Sequence, residues 1–373
     1  MKISVIILNY NVRYFLEQCI LSVEEGLRYL DGEIIVIDNN SQDDSCDMVK
    51  QCFPHIKLIE NKENVGFSKA NNQAVAMATG EYLCILNPDT AVTDSTLKRC
   101  VDYAEAINNI GALGVYLMDG TGNFLPESKR NIPTPKVSFL KLIGDVEKYY
   151  ATHISKDENG CVDVLVGAFM FMKRSVYNEV GGFDEDYFMY GEDIDLSYKI
   201  TKAGYQNHYL GSVSALHYKG ESTLKDRVYF DRFYNAMLIF YKKHFSQNSL
   251  SNFAVHALTS LAKIVKGSSR KVKTIPSAKI QKAYVFTEDL TFYRRLSEKM
   301  EIELITGSKL LFDDPALKNC LFIFDTTYMS YSQIFSVMSK FKNRNNQFRI
   351  RPPHANFVIG SDKSDEKGSV VVF

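Results

Sequence analysis

The sequence predicts an α/β protein built on a mostly parallel central sheet flanked by helices, and three observations carry that expectation. Short β-branched runs alternate with segments of helical spacing over residues 1–90. Polar clusters follow these runs at 9–11, 38–41 and 87–90. A second alternation of the same kind begins at Lys279. Strands alternating with helices give parallel strands joined by right-handed crossovers. In such sheets ligands collect beyond the carboxyl ends of the strands, where the polar clusters fall.

Residues 3–8 are an apolar run interrupted only by Ser4, expected as a strand buried on both faces. Residues 13–30 carry Phe15, Leu16, Cys19, Ile20, Val23 and Leu27 at helical spacing. A second buried strand at 33–37 ends at Asp38, a helix with acidic residues at its start covers 43–51, and a third strand covers 56–60. Residues 67–78 read as a helix closed by Gly80 in the C-terminal cap position. A fourth strand at 81–86 runs out at Asn87-Pro88-Asp89. Beyond Gly114 the pattern loosens through Pro126, Pro133 and Pro135, as in surface loops. Residues 162–173 are strand-like, 183–204 hold an acidic cluster and then a helix, and 230–245 and 250–265 read as amphipathic helices. After a basic run at Lys266, Arg270, Lys271 and Lys273, strands are expected at 283–287, 302–305 and 321–325, with a helix at 290–299. The expected division is a domain over 1–225, a helical extension over 226–273 and a small α/β domain over 279–373. The last boundary lies at 267–278, where Gly, Ser, Pro and Lys concentrate.

Charge and cysteine usage exclude several classes. Lys+Arg 44 balance Asp+Glu 44, so the chain lacks an overall basic field for nucleic acid. The seven cysteines are scattered and none forms a CxxC pair, which argues against a zinc knuckle or a disulfide framework. A reduced, cytoplasmic setting is the expectation. The N-terminal apolar run turns polar at Asn9, Tyr10 and Asn11, too early for a signal peptide or a membrane span.

Five constellations carry candidate chemistry. Asp89, at a rigid strand exit, can hold a hard divalent cation that bridges nucleotide phosphates, Mg²⁺ or Mn²⁺. An Asx-type turn without ligand is the alternative. Asp38 either caps the next element or accepts hydrogen bonds from a base or ribose. In Glu192-Asp193-x-Asp195, acids in the first turn suit the positive end of a helix, which accounts for Glu192 and Asp195. Asp193 is the candidate general base, taking a proton from an attacking hydroxyl. His217, in LHYKGEST, is either a packing residue or a further ligand beside Asp89. In NVGFSKANN, Asn64 and Gly66 lead into a helix start, an arrangement that favours anions but is common in plain connections.

Taken in order, SVIILNYN, EIIVIDNNSQDDS, NVGFSKANNQAVAMATGEYLCILNPDT, VGAFMFMKRSVYNEVGGFDEDYFMYGEDIDLSYKITKAGY and LHYKGEST resemble the family-2 inverting glycosyltransferases. Within that family the resemblance is to the bacterial rhamnosyltransferase-like branch, and it covers residues 1–224. It implies the GT-A fold, a nucleotide-diphosphate sugar donor, and a glycan or lipid-linked glycan acceptor in cell-surface polysaccharide assembly. It assigns Asp38 to the nucleotide base, Asn9 and Lys69 to donor contacts, and Asp89 to the metal. His217 matches a histidine that joins the metal site in some members, and Asp193 matches the catalytic base. Asn64, Gly66 and Asn87 are grouped with the donor side.

Two departures stand out. Asn87 occupies the first position of what is often Asp-x-Asp, so metal affinity is expected to be lower. The aromatic acceptor-side motif lacks tryptophan and holds Phe188, Met189 and Tyr190. The segment from Lys279 matches nothing in the family. Residues 250–273 combine an apolar helix face with basic residues, which suits either an anionic membrane surface or core packing with a solvated tail. Two rival readings are a non-catalytic nucleotide-sugar-binding module and a nucleotidyltransferase. The second wants a glycine- and basic-rich loop after the first strand, where this chain has Asn9-Tyr10-Asn11-Val12-Arg13.

Overall fold

A computed structural model describes residues 1–221, 227–245, 280–364 and 366–373. β1 (Ile3–Asn9), α1 (Arg13–Leu27), β2 (Gly32–Asp38), α2 (Ser45–Cys52), β3 (Lys57–Glu60), α3 (Phe67–Ala76) and β4 (Tyr82–Leu86) follow the expected alternation. The four strands are mutually parallel, and their register sets Asn9 opposite Asp38. β1, β2 and β4 are apolar on both faces where helices cover them and are buried nearly end to end, whereas β3, at the sheet edge, is partly exposed.

The sheet continues through β5 (Thr90–Val92), α4 (Thr96–Ala106), β6 (Ile110–Met118), α5 (Pro135–Leu142), β7 (Asn159–Cys161), β8 (Phe169–Lys173), α6 (Arg174–Glu179), α7 (Glu192–Lys202), β9 (Gln206–His217) and α8 (Arg227–His244). Strand order is β3-β2-β1-β4-β8-β6-β9-β5, with β7 paired to β9. β8 lies antiparallel to β4 and β6, so the sheet is mixed beyond β4. This is a GT-A-type architecture. Its core splits into two layers, one on each face.

A six-stranded second sheet follows, from β10 (Lys282–Phe286), α9 (Leu290–Ser297), β11 (Leu304–Thr306), β12 (Cys320–Asp325), α10 (Tyr331–Phe341), β13 (Gln347–Arg351), β14 (Phe357–Gly360) and β15 (Ser369–Val372). Its order is β11-β10-β12-β13-β14-β15, parallel through β13 and antiparallel after it. It packs on the first domain. Tyr14 meets Phe357 with ring centroids 5.0 Å apart. Gly122, at φ 83°, lies where a Cβ would come within 2.4 Å of the Met338 carbonyl oxygen.

Three local expectations need correction. Gly80 does not cap α3, which ends at Ala76 with Met77 in a right-handed cap. Gly80 instead packs its backbone on β1, donating its N–H to Ser4 Oγ at 2.8 Å, where a Cβ would sit 2.4 Å from the Ser4 nitrogen. The strand expected over 162–173 is regular only from Phe169. Before that point, the Leu165 and Gly167 N–H groups donate to Ser197 Oγ and to Asp193 rather than to a neighbouring strand. Residues 115–118, in the stretch beyond Gly114 expected to loosen into loops, belong to the fully buried strand β6. The helix expected at 250–265, its basic run and the boundary at 267–278 lie outside the described residues.

Candidate active site

β1, β2 and β4 end side by side, and Leu8 near the end of β1, Asn39 just after β2 and Asn87 just after β4 join residues of α7 and β9 around a cavity of about 600 Å³. One wall is polar: Asn39, Asn64, Asn87, Asp193, His217 and Lys219 line it. The other is aromatic, with Phe139 from α5, Tyr149, Tyr190, and Tyr229, Phe233 and Tyr241 from α8.

Asp193 stands in the first turn of α7, a helix entered through Gly191 in the left-handed conformation at φ 81°. Its Oδ2 accepts from Arg130 Nη2 at 2.6 Å and from the Gly167 N–H at 3.1 Å, and its Oδ1 accepts from the Ile194 N–H at 2.8 Å. These contacts fix the carboxylate: Oδ2 is fully used by its two donors, while Oδ1 keeps a lone pair for another donor. Arg130 and Asp193 are both buried, so removing either would strand the other charge at a cost of about 3–5 kcal/mol.

Glu192 lines the same cavity, buried, and its Oε2 has no hydrogen-bond partner. Burial, reinforced by the charge of Asp193 beside it, pushes this carboxyl up to about 8 from its ordinary 4.5. At neutral pH Glu192 is therefore a proton donor next to a fixed carboxylate. Also in the lining, Glu127 pairs with Lys219 at 2.5 Å, and although burial opposes it, the lysine holds the Glu127 carboxyl below its ordinary value. Arg130 and Lys141 likewise outweigh burial at Tyr149 and hold its phenol below the ordinary value.

At the end of β4, Asp89 is buried with its Oδ1 3.3 Å from His217 Nε2, and the Asn87 amide nitrogen lies 3.5 Å from the same ring nitrogen. The pairing of β5 with β9 sets Thr90 against His217 and so brings the two chain segments together. His217 Nδ1 is buried without a partner. A buried carboxylate with an imidazole nitrogen 3.3 Å from it fits a divalent cation, for which His217 Nε2, the nitrogen that faces Asp89, is the available ligand. Among the described residues no group of three or more His, Cys, Asp or Glu converges on one point. Two protein ligands, with phosphate oxygens and water completing the shell, is how such cations sit in nucleotide sites.

A model of glycosyl transferase family 2 matches residues 4–181, and a model of glycosyl transferase family group 2 matches residues 137–260. The rhamnosyltransferase WbbL of Escherichia coli (strain K12) is 30% identical over 195 residues, which is 50% of this chain and 72% of that protein. The chain belongs to glycosyltransferase family 2. Within it the chain falls in the rhamnosyltransferase-like branch. An N-acetylglucosaminyl-diphospho-decaprenol L-rhamnosyltransferase of Mycobacterium tuberculosis (strain ATCC 25618 / H37Rv) is 27% identical over 211 residues, 52% of this chain and 68% of that one. Among solved structures, a mannosyltransferase from Pyrobaculum calidifontis in complex with GDP-Man and Mn²⁺ superposes with a TM-score of 0.47 at 20% identity, covering 71% of this chain and 72% of that one. That superposition is too loose to bear on the site.

Of the residues singled out from the glycosyltransferase motifs, Asn64, Asn87, His217 and Asp193 line the cavity, and Asp89 sits against His217. Asn9 and Asp38 are buried outside the lining and bond to each other, Asn9 Nδ2 donating to Asp38 Oδ1 at 2.7 Å. Ser41 takes up the rest of Asp38, its N–H at 2.8 Å and its hydroxyl at 2.6 Å. Gly66, at φ 88°, presses on the segment that leads into Asp193: a Cβ there would fall 2.6 Å from the Phe188 carbonyl oxygen, which accepts from the Phe67 N–H at 2.7 Å. Lys69 is exposed on α3, outside the cavity lining. Arg130, Glu192 and the aromatic wall were not foreseen. Arg130 is 63 residues from Asp193 in a proline-bounded loop, and no spacing in the sequence links the two.

Proposed function

We propose that this glycosyltransferase moves a sugar from a nucleotide-diphosphate donor to a hydroxyl of a lipid-linked glycan by single displacement, inverting the anomeric carbon. The observation that carries the reading is the entry of Asp193 into the same cavity as Asn87 and His217, with an aromatic wall opposite. A single fixed carboxylate on the acceptor side, with no second nucleophile required, is what one-step displacement needs. In this reading Asp193 takes the proton of the acceptor hydroxyl as the oxygen attacks. Arg130 and the Gly167 N–H hold the carboxylate in place during that transfer.

Asp89 and His217 would hold a divalent cation, whose chemistry when bound is to neutralise the charge of the leaving diphosphate. Either Mn²⁺ or Mg²⁺ would serve that purpose. Asn64 and Asn87 offer amide groups to the donor at the strand ends. Asn9 and Asp38 shape the same edge from beneath, and Gly66 sets the loop before Asp193. Lys69 would reach the donor only as an outer contact. Both relatives named above are rhamnosyltransferases, so deoxythymidine-diphosphate rhamnose is the first donor to try, with a diphospho-lipid-linked sugar as acceptor.

The test is a transfer assay with added Mn²⁺ or Mg²⁺ and with chelator, reading the product's anomeric configuration by NMR. Inverted product, lost with chelator and in Asp193→Asn, supports the reading. Retained configuration, or full activity of Asp193→Asn, overturns it.

A further inference from the structure

Eight large apolar side chains stand exposed among the described residues of the first domain, and five of them adjoin the cavity. Met1, Tyr29 and Met77 are scattered, as lone surface hydrophobics usually are. Phe139, Ile143, Val146, Phe188 and Val228 are 38 to 64% exposed, and each is tied to the mouth of the site. Phe139 itself lines the cavity, and Ile143 follows it by one helical turn on the same side of α5. The Val146 carbonyl accepts the N–H groups of Tyr149 and Tyr150, which line the wall. Phe188 and Val228 directly precede the lining residues Met189 and Tyr229. The aromatic wall is thus flanked by exposed apolar side chains that follow it outward, interspersed with charged residues.

Charges at this rim are of the kind that lie along a bilayer. Lys136, Lys148 and Arg232 are exposed, and the Arg232 guanidinium lies 4.7 Å over the Phe188 ring, its apolar stem along the patch. Asp145 and Glu147 share the turn after α5, so the rim is mixed in charge rather than a simple cationic patch. Apolar contact, with lysine and arginine heads reaching the headgroups, is then the main source of attachment.

We infer that this rim, at α5, the turn after it and the start of α8, is the surface that seats the enzyme on a lipid bilayer, with the cavity mouth facing the membrane. The inference rests on the lipid-linked acceptor proposed above: an acceptor anchored by its lipid presents its sugar at the headgroup level, and an apolar mouth meets it there. Among the described residues no helix is long and apolar enough to cross a membrane, so contact through this part of the chain is at the surface.

The experiment uses the full chain and the variant Ile143→Glu/Val146→Glu, whose side chains are exposed and outside the cavity lining. Co-sedimentation is measured with vesicles of phosphatidylethanolamine and phosphatidylglycerol. Transfer is measured both to a short-chain, water-soluble acceptor and to a long-chain acceptor held in those vesicles. The variant is expected to bind vesicles about tenfold more weakly, a loss in line with two apolar groups withdrawn from the interface. It should lose activity on the vesicle-held acceptor and keep it on the soluble one. Equal vesicle binding by both proteins overturns the inference. So does concentration-dependent self-association of the wild type, by sedimentation velocity, that the variant abolishes without any vesicle binding; a second copy would then cover the rim. If vesicle binding falls as expected but neither protein transfers to any acceptor, the surface stands and the acceptor reading fails.

Discussion

The two sheets of this chain share a plan and treat their strand ends in opposite ways. In the second sheet β10, β12 and β13 are parallel, as β1, β2 and β4 are in the first. Polar residues again gather where the strands stop. There, however, they close on one another: Thr287 Oγ1 donates to Asp325 Oδ2 at 2.6 Å, and Arg351 Nη1 bridges Asp325 at 3.1 Å and Asp289 at 3.0 Å. Thr327 fills the other oxygen of Asp325 at 2.8 Å, and the Arg351 guanidinium lies 4.3 Å over the Phe292 ring. In the first sheet Glu192 Oε2 and His217 Nδ1 are buried without partners beside a cavity. Position at a strand terminus therefore makes a site possible, and polar groups left without a protein partner beside a cavity mark one.

That contrast can be broken or sharpened by substitution. The largest effect is expected from Asp193→Asn, which should lower transfer by on the order of 10²–10⁴ while donor affinity, by calorimetric titration, stays near wild type. Next, Gly66→Ala must force a Cβ against the Phe188 carbonyl at a positive φ. It should cost about 1–3 kcal/mol in denaturant unfolding and lower turnover by shifting the segment that carries Asp193. Asp325→Asn, in the closed network, should cost about 1–3 kcal/mol of stability and leave the donor dissociation constant of folded protein unchanged. An equal loss of donor affinity there would erase the distinction between the two sheets.

The smallest effect is one of pH. Glu192 has its folded value raised to about 8, so the stability it contributes is fully present below about 4.5, its ordinary value, and is lost as pH rises to about 8. Thermal melts of the wild type should therefore fall over that window relative to Glu192→Gln. Its rate should fall as pH passes about 8, where a second carboxylate ionises beside Asp193, and the Gln variant should lack that limb.

Much of the first sheet was legible because buried parallel strands are continuous apolar runs, as at β1, β2 and β4. β6 was hidden by its two internal glycines, Gly111 and Gly114, which weaken the apolar signal although every residue of the strand is buried. Gly80 was read as a helix cap because a glycine after a helix commonly has that purpose; close approach to Ser4 depends on tertiary packing that spacing does not encode. At the site, Asp193, Asn87 and His217 were visible as polar groups after apolar strands or before a helix. Glu192 was visible too but assigned only to the helix dipole, since its burial and its unpartnered oxygen are properties of the folded cavity. Arg130 and the aromatic wall of α8 belong to the same class, brought in by chain segments that no local pattern connects.

The most direct test of the account is a calorimetric titration of the nucleotide-sugar donor, with Mn²⁺ present, into wild type, Asp89→Ala and Asp325→Asn, each first checked for folding by circular dichroism. The account predicts that Asp89→Ala weakens binding by about tenfold or more, at least 1.4 kcal/mol, while Asp325→Asn binds as wild type does. Undiminished binding by Asp89→Ala, or a matching loss in Asp325→Asn, would contradict the placement of the donor site at the ends of the first sheet.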